Sequence, residues 1–227
     1  MKTTRSSTKA MIVVMCVSSL WYSGFTPLPV DENLLNQLEQ GSLSLPVKPI
    51  QQKKITSCGE AAITMAYNYA YPLGALKELD VIAFSMANGY YIDNHPPFTS
   101  PANMVKIAKY YADDPDQRFV SSVDSGRVAM QEQGLNLLTM KLQSNVPVII
   151  DVLTRLNNRY SGAHFVLVTG ISMDPKHAGV VVIHYNDPLT AHNESAPWSG
   201  HGGVWDAWQN NGDPNGSGWW LVISASE

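Results

Sequence analysis

Cys58 occupies a position that suits a nucleophilic thiol, because it stands where a predicted helix begins. The thiolate is the reactive form of cysteine, and the unpaired N–H groups and dipole of a helix N-terminus favour it. The other cysteine, Cys16, lies in a predicted export signal, so the mature protein would hold a single thiol and no internal disulfide. A buried structural cysteine is the alternative, but placement between Ser57 and Gly59 favours the reactive one.

A thiol nucleophile needs a base, and His164 is the best placed of the six histidines. It opens a predicted strand directly after Gly162 and Ala163. Side chains alternate between the faces of a strand, so His164 shares a face with Val166 at the rim of an apolar run. From there it can reach a helix N-terminus packed across the strand. A histidine with no catalytic role is the competing interpretation.

A third residue should orient that imidazole, and Asp187 is the candidate. It ends the next predicted strand, in the sequence Asn186-Asp187-Pro188. A hairpin between the two strands would return Asp187 to the side of His164. Taken alone, Asn-Asp-Pro is a common turn. It indicates a catalytic aspartate only because it follows the candidate cysteine and histidine in the chain.

The oxyanion of an acyl-transfer reaction needs hydrogen-bond donors aimed at the developing negative charge. Gln52 lies six residues before Cys58. Its side-chain amide can act there beside the backbone N–H of Cys58. The adjacent Gln51 is the alternative donor.

Four helices are predicted before residue 145. The first runs from Ser57 to Tyr71, and Ser57 and Glu60 have the Ser-x-x-Glu spacing of a capping box. The others are predicted at about 75–87, from the Ser100-Pro101 cap onward, and at about 128–143.

After residue 145 the pattern changes to short apolar, β-branched runs, which predict strands. These runs lie at 147–152, 164–171, 180–185 and 219–224. Helices first and strands later indicate an α+β domain, with an N-terminal helical half packed on the sheet. The short links between strands predict a mostly antiparallel sheet.

Length and charge limit the functions that the chain can serve. A chain of 227 residues with 44% hydrophobic and 15% charged residues fits one folded domain. The net charge of −4 offers no basic footprint for nucleic acid. We therefore expect no nucleic-acid partner.

The N-terminal residues carry the pattern of an export signal. Three basic residues within the first nine precede an apolar stretch that ends near Phe25, which is short for a stable membrane span. The predicted divisions are a signal peptide or N-terminal anchor at 1–25, a linker or short pro-segment at 26–45, and a catalytic domain at 46–227. We expect a secreted or cell-envelope protein that contacts a membrane only if the signal stays uncleaved.

Two other clusters have competing interpretations. Five of the six tryptophans lie in the last thirty residues, and core packing is favoured over an aromatic wall that grips substrate. His184, His192 and His201 can be drawn with Asp187 as metal ligands, but no close ligand motif such as His-Glu-x-x-His supports this. We therefore predict neither a metal nor another cofactor.

The order of the motifs resembles the bacteriocin-processing double-glycine peptidase family and its stand-alone relatives. The matching residues are Gln52, Cys58-Gly59-x-Ala61, the Gly-x-His164 strand opening and Asn186-Asp187-Pro188. The resemblance implies a papain-like fold with Cys58 as nucleophile, His164 as base and acid, Asp187 as its orienting partner and Gln52 in the oxyanion hole. Classic members are domains of ABC exporters, and this sequence has no Gly-x-x-x-x-Gly-Lys-Ser/Thr loop, so cleavage of double-glycine leaders is not implied.

The sequence thus predicts an exported papain-like cysteine peptidase, a thiol-dependent amide hydrolase that acts on a peptide or peptide-like substrate through an acyl-enzyme. Transfer of the acyl group to an amine would use the same residues and make the protein a transpeptidase. A catalytically silent papain-like domain that serves as a cell-surface binding module is the alternative from another class. A metal-dependent hydrolase is the third hypothesis.

Overall fold

The computed structural model describes Leu38 and residues 41–72, 75–96, 98–113, 121–156 and 160–225. The predicted export signal lies outside the described residues, as does most of the predicted linker. Within the described ranges, no helix has the length and apolar character needed to cross a membrane.

The helices are α1 (Cys58–Ala70), α2 (Glu78–Ala87), α3 (Pro101–Ala112), α4 (Gln131–Gln143) and α5 (Val204–Gln209). The first four are those that the sequence predicts, with later starts for α2 and α4. Helix α3 begins at the predicted cap, where the Ser100 hydroxyl oxygen accepts the Asn103 N–H at 3.3 Å and proline takes the first helical position.

The predicted capping box at the start of α1 is wrong. Ser57 is the N-cap, but its side chain makes no cap hydrogen bond, and its hydroxyl donates to Glu78 Oε1 at 2.7 Å instead. Glu60 is fully buried, and its carboxylate accepts a hydrogen bond from the Thr99 hydroxyl at 2.7 Å. Helix α1 therefore begins on a buried polar network that other elements contribute to.

The strands are β1 (Leu43–Ser44), β2 (Ser121–Arg127), β3 (Val148–Leu156), β4 (Tyr160–Met173), β5 (Val181–Asp187), β6 (His192–Pro197) and β7 (Trp219–Ala225). They form one sheet in the order β2-β7-β3-β4-β5-β6, with β1 paired to β4. Every pairing between these strands is antiparallel. The predicted α+β class and antiparallel sheet are thereby confirmed.

Part of the segment predicted as a linker is packed into this fold. Leu43 lies opposite Ile171 in the pairing of β1 with β4. The side chains of Leu38 and Leu45 are buried in the main apolar core. The ordered fold therefore extends upstream of residue 46.

The tryptophans near the C-terminus belong mainly to the core. Trp198, Trp208, Trp219 and Trp220 are buried, which confirms the core-packing interpretation. Gly134 of α4 permits the close approach of this cluster, because a Cβ there would lie 2.9 Å from the half-buried Trp205 ring.

Candidate active site

The hairpin of β4 and β5 brings a histidine and an aspartate together. Leu167 of β4 lies opposite Asn186 of β5, and this register places the end of β5 beside the start of β4. His164 Nε2 lies 2.8 Å from Asp187 Oδ1, and both side chains are almost fully buried. A buried pair of this kind is held in one geometry by the strands that carry it.

A second hydrogen bond fixes the carboxylate of Asp187. The backbone N–H of Leu189 donates to the same oxygen, Oδ1, at 2.8 Å. Burial raises the pKa of Asp187, but the hydrogen bond and charge of His164, with the Leu189 N–H, outweigh it and hold the pKa below its ordinary value. The carboxylate therefore stays ionised and accepts a hydrogen bond from the Nε2–H of the imidazole.

The thiol of Cys58 lies close enough to the same imidazole to interact with it. Cys58 is the first residue of α1 and a free, half-buried cysteine. Burial lowers the pKa of His164, but the charge of Cys58 and the hydrogen bonds to Asp187 and Cys58 outweigh it, so the pKa lies above its ordinary value. Because Asp187 takes Nε2, Nδ1 is the ring nitrogen left for the thiol.

Gln52 and Gln51 are placed differently in the segment before α1. Gln51 is exposed, whereas Gln52 is half-buried. The Gln52 backbone N–H donates to Pro188 O at 2.8 Å, which joins this segment to the residue after Asp187. Its side-chain Nε2 donates to Lys54 O at 2.8 Å. An amide NH₂ carries two hydrogens, so one remains for an oxyanion.

Glu78, a residue that the sequence analysis did not single out, holds the turn between Gln52 and Cys58. Its Oε1 accepts the Lys53 N–H at 2.8 Å and the Ser57 hydroxyl at 2.7 Å. Its side chain is buried. In the sequence, Glu78 appears only as an acidic residue near a helix start, which is common at exposed N-termini. Nothing in that pattern indicates a contact 25 residues upstream.

The loop that follows α2 holds the other side of the same turn. Lys54 Nζ forms an ion pair with Asp93 Oδ2 at 2.5 Å. The Thr56 hydroxyl lies 2.7 Å from the Tyr91 hydroxyl. The six residues that lead to Cys58 are therefore tied to two separate elements, so the thiol and the Gln52 amide have a defined relative position.

Gly59, the residue after the thiol, allows close packing of α1. It is buried, and a Cβ there would lie 2.6 Å from Met104 Sδ and 3.2 Å from Phe165 Cδ2. The glycine lets α1 approach α3 and β4 closely.

Asp151 is a second buried carboxyl group near the imidazole, and the sequence analysis did not identify it. It lies directly opposite Phe165 in the pairing of β3 and β4. Neither carboxylate oxygen has a hydrogen-bond partner in the described part of the chain. Burial raises its pKa to about 7, and the charge of Asp213 adds to that rise. The charge of His164 and its backbone N–H, which lies near the carboxylate without the geometry of a hydrogen bond, oppose the rise.

The three histidines considered as metal ligands do not converge with Asp187, although His192 lies opposite Asp187 in the pairing of β5 and β6. His184 Nε2 lies 2.8 Å from the Ser172 hydroxyl, and His192 and His201 are exposed. Across the ranges that the structure describes, no three His, Cys, Asp or Glu side chains are grouped to hold a metal ion.

The comparison with known families supports a peptidase. A model of the Peptidase_C39 like family matches residues 44–213, which is more than half of the chain. This match confirms the family resemblance predicted from the motifs, and it spans Gln52, Cys58, His164 and Asp187. A search of curated proteins found no match.

Proposed function

The chain belongs to the Peptidase_C39 like family, and from that premise we propose that it is an exported papain-like cysteine peptidase with a triad of Cys58, His164 and Asp187. Family membership indicates a cysteine-peptidase-like domain and a peptide substrate. The observation that carries the proposal is one thiol at a helix start that lies close to an imidazole whose Nε2 is held by a carboxylate. This is the arrangement that activates a nucleophile through a positioned base.

In the first half of the proposed reaction, the Cys58 thiolate attacks the carbonyl carbon of the scissile amide. The negative charge moves to the carbonyl oxygen, where the Cys58 N–H and the Gln52 amide donate hydrogen bonds to it. As the first residue of α1, Cys58 has no partner for its N–H within the helix. His164 then gives its Nδ1 proton to the leaving amine, and a thioester remains on Cys58.

In the second half, water replaces the amine. His164 Nδ1 takes a proton from the water as its oxygen attacks the thioester carbonyl, and the C–S bond breaks to release a carboxylic acid and the thiolate. Asp187 stabilises the charged imidazole and keeps Nε2 protonated throughout. An amine in place of water would give transpeptidation by the same steps.

The rate of iodoacetamide alkylation of Cys58 against pH tests the pair directly. We expect rapid alkylation at pH 6, where an unperturbed thiol is almost entirely protonated, and loss of that reactivity in His164→Ala. The matched control is His177→Ala, because His177 is an exposed histidine whose partner is Asp174. Slow alkylation at pH 6 in the unsubstituted chain, or an equal rate in His164→Ala, would refute the triad.

Turnover separates the enzyme from the binding module. Cys58→Ala should abolish hydrolysis of a peptide substrate while the fold, followed by circular dichroism, is retained. A Cys58→Ala chain with unchanged activity would contradict the proposal. A chain that has a reactive Cys58–His164 pair but retains a peptide without cleaving it would favour the silent binding domain.

The export part of the proposal is supported by the basic residues and apolar stretch before residue 26. We expect the protein outside the cytoplasm, with a new N-terminus between residues 19 and 26. Cell fractionation and N-terminal sequencing of the recovered protein measure this. Recovery of a cytoplasmic chain that still begins at Met1 would contradict export.

A further inference from the structure

A cavity of about 150 Å³ lies against the His164–Asp187 pair. It is smaller than the roughly 300–1,000 Å³ of sites that enclose a whole small molecule, so it has room for one side chain. Its walls come from three sources: the face of the sheet that carries His164, helix α5 and the loop before α5. Cys58 does not line it.

The side chains that line the cavity are mostly aliphatic. Six lining residues share small or branched apolar side chains: Val152, Leu153, Val166, Ala196, Val204 and Ala207. The ionisable groups at the cavity are those of Tyr185 and of the catalytic pair, and Asp187 is already occupied by two hydrogen bonds. A charged side chain placed here would lose its water without gaining a partner, which is costly.

The loop before α5 limits the size of the cavity. Gly202 and Gly203 form part of the lining. The backbone at Gly203 is packed so closely that a Cβ would lie 2.8 Å from Ser199 O. The cavity is therefore bounded on this side by tightly packed backbone rather than by long side chains that can swing away.

The position of the cavity relative to the reaction indicates what it holds. In the proposed reaction, His164 protonates the leaving amine, so the residue that follows the cleaved bond must lie next to the imidazole. Val152 lies directly opposite His164, and Val166 is two residues further along the same strand and face. The aliphatic wall thus begins beside the imidazole.

We propose that this cavity is the specificity pocket for the residue directly after the cleaved bond, and that it takes a Val, Leu or Ile side chain. The inference rests on the proposed peptidase function and adds the substrate class to it. Hydrophobic pockets of this size select by about 10- to 200-fold per methylene gained or lost, and they reject charge more strongly.

Cleavage of a peptide library tests this inference. The full chain is incubated with a proteome-derived library of peptides whose amino groups are blocked, and the new N-termini are sequenced by mass spectrometry. We expect Val, Leu and Ile at the new N-termini to exceed Asp, Glu and Arg by about tenfold or more. Because this profile comes from the unsubstituted chain, it does not depend on the folding of a variant.

A pair of matched variants links the preference to the cavity. Ala207→Leu fills the pocket and should move the preference to Gly and Ala. Ala102→Leu makes the same exchange at an exposed position of α3 and should leave the profile unchanged. New N-termini without preference, a preference for charged residues, or an unchanged profile in Ala207→Leu would overturn the pocket while the peptidase function stands. A library left uncut would refute the peptidase function itself, and the pocket with it.

Discussion

Replacement of Asp151 by asparagine should stabilise the protein, and only at neutral and alkaline pH. Asp151 is fully buried, and neither carboxylate oxygen has a hydrogen-bond partner within the described ranges. Asparagine has nearly the same shape and carries no charge at any pH. The substitution therefore isolates the cost of keeping an ionised carboxylate in the core.

The size of the effect follows from the pKa. Burial raises the pKa of Asp151 from 3.8 to about 7. Because the folded-state pKa lies above that of the unfolded chain, folding favours the protonated acid, and stability is lost as pH rises from about 4 to about 7. About three pKa units at about 1.4 kcal/mol each give about 4 kcal/mol. For a chain of this size, that corresponds to roughly 10 °C in Tm.

The assay is thermal unfolding of the two proteins from pH 4 to pH 8. We expect similar Tm values at pH 4 and a Tm higher by roughly 10 °C in Asp151→Asn at pH 8. Groups that titrate in both proteins, such as Glu60, change both Tm values equally and do not affect the difference between them. Asp124→Asn, an exposed carboxyl in a surface ion pair with Lys141, should change stability by less than about 1 kcal/mol at either pH. If the curves of Tm against pH were parallel for Asp151→Asn and the unsubstituted chain, the Asp151 carboxyl would not be buried without a partner, and the reasoning would be refuted.

Substitutions at three further positions have specific expected outcomes. Asp187→Asn keeps an oxygen that accepts the His164 Nε2–H, so its kcat should exceed that of Asp187→Ala by about 10- to 100-fold, and equal values would contradict the hydrogen bond. Glu78→Ala should lower kcat with little change in KM, because the turn before Cys58 loses the side-chain oxygen that accepts its hydrogen bonds. Glu78→Gln keeps such an oxygen and should recover activity. Steady-state kinetics on one peptide substrate compares the two variants. Gly170→Ala would place a Cβ 2.7 Å from Leu43 O. We expect the backbone amides of β1 to lose protection from hydrogen exchange and the free energy of unfolding to fall by about 1–3 kcal/mol. Unchanged protection would show that the backbone adapts.

The predicted elements are those whose burial is visible in the sequence. Helix α1 and strands β3, β4, β5 and β7 have apolar residues at helical spacing or in β-branched runs, because their side chains fill the core. Strands β1, β2 and β6 were not predicted. Strands β2 and β6 lie at the two edges of the sheet, each with a single neighbouring strand, and their sequences, SSVDSGR and HNESAP, are polar. Edge strands of this composition resist pairing with other chains, but they give no apolar alternation to detect.

The approach of His164 to Asp187 could be predicted because one hairpin joins them, and hairpin geometry is local. The contacts of Glu78 could not, because they depend on where α2 comes to lie beneath the turn before α1. The same applies to Asp151, whose side chain is buried where the loop around Gly216 meets β3. Sequence patterns report local structure, whereas the partner of a buried charge is decided by tertiary packing.

Partners also decide the charge of the acidic residues, and this sets the pH at which the fold is most stable. Asp187 has a histidine and an N–H as partners, so its lowered pKa contributes stability above about pH 4 that is lost as pH falls further. Asp151 and Glu60 have pKa values raised to about 7 by burial, and they cost stability as pH rises from about 4 to about 7. The raised pKa of His164 acts in the same direction, because stability from its charged form is lost at higher pH. Three of the four groups thus favour the acidic side of neutrality and one sets the lower limit, so unfolding free energy measured against pH should peak between about 4 and 6. A maximum at pH 8 would mean that these carboxyl groups are ionised in the fold at no cost.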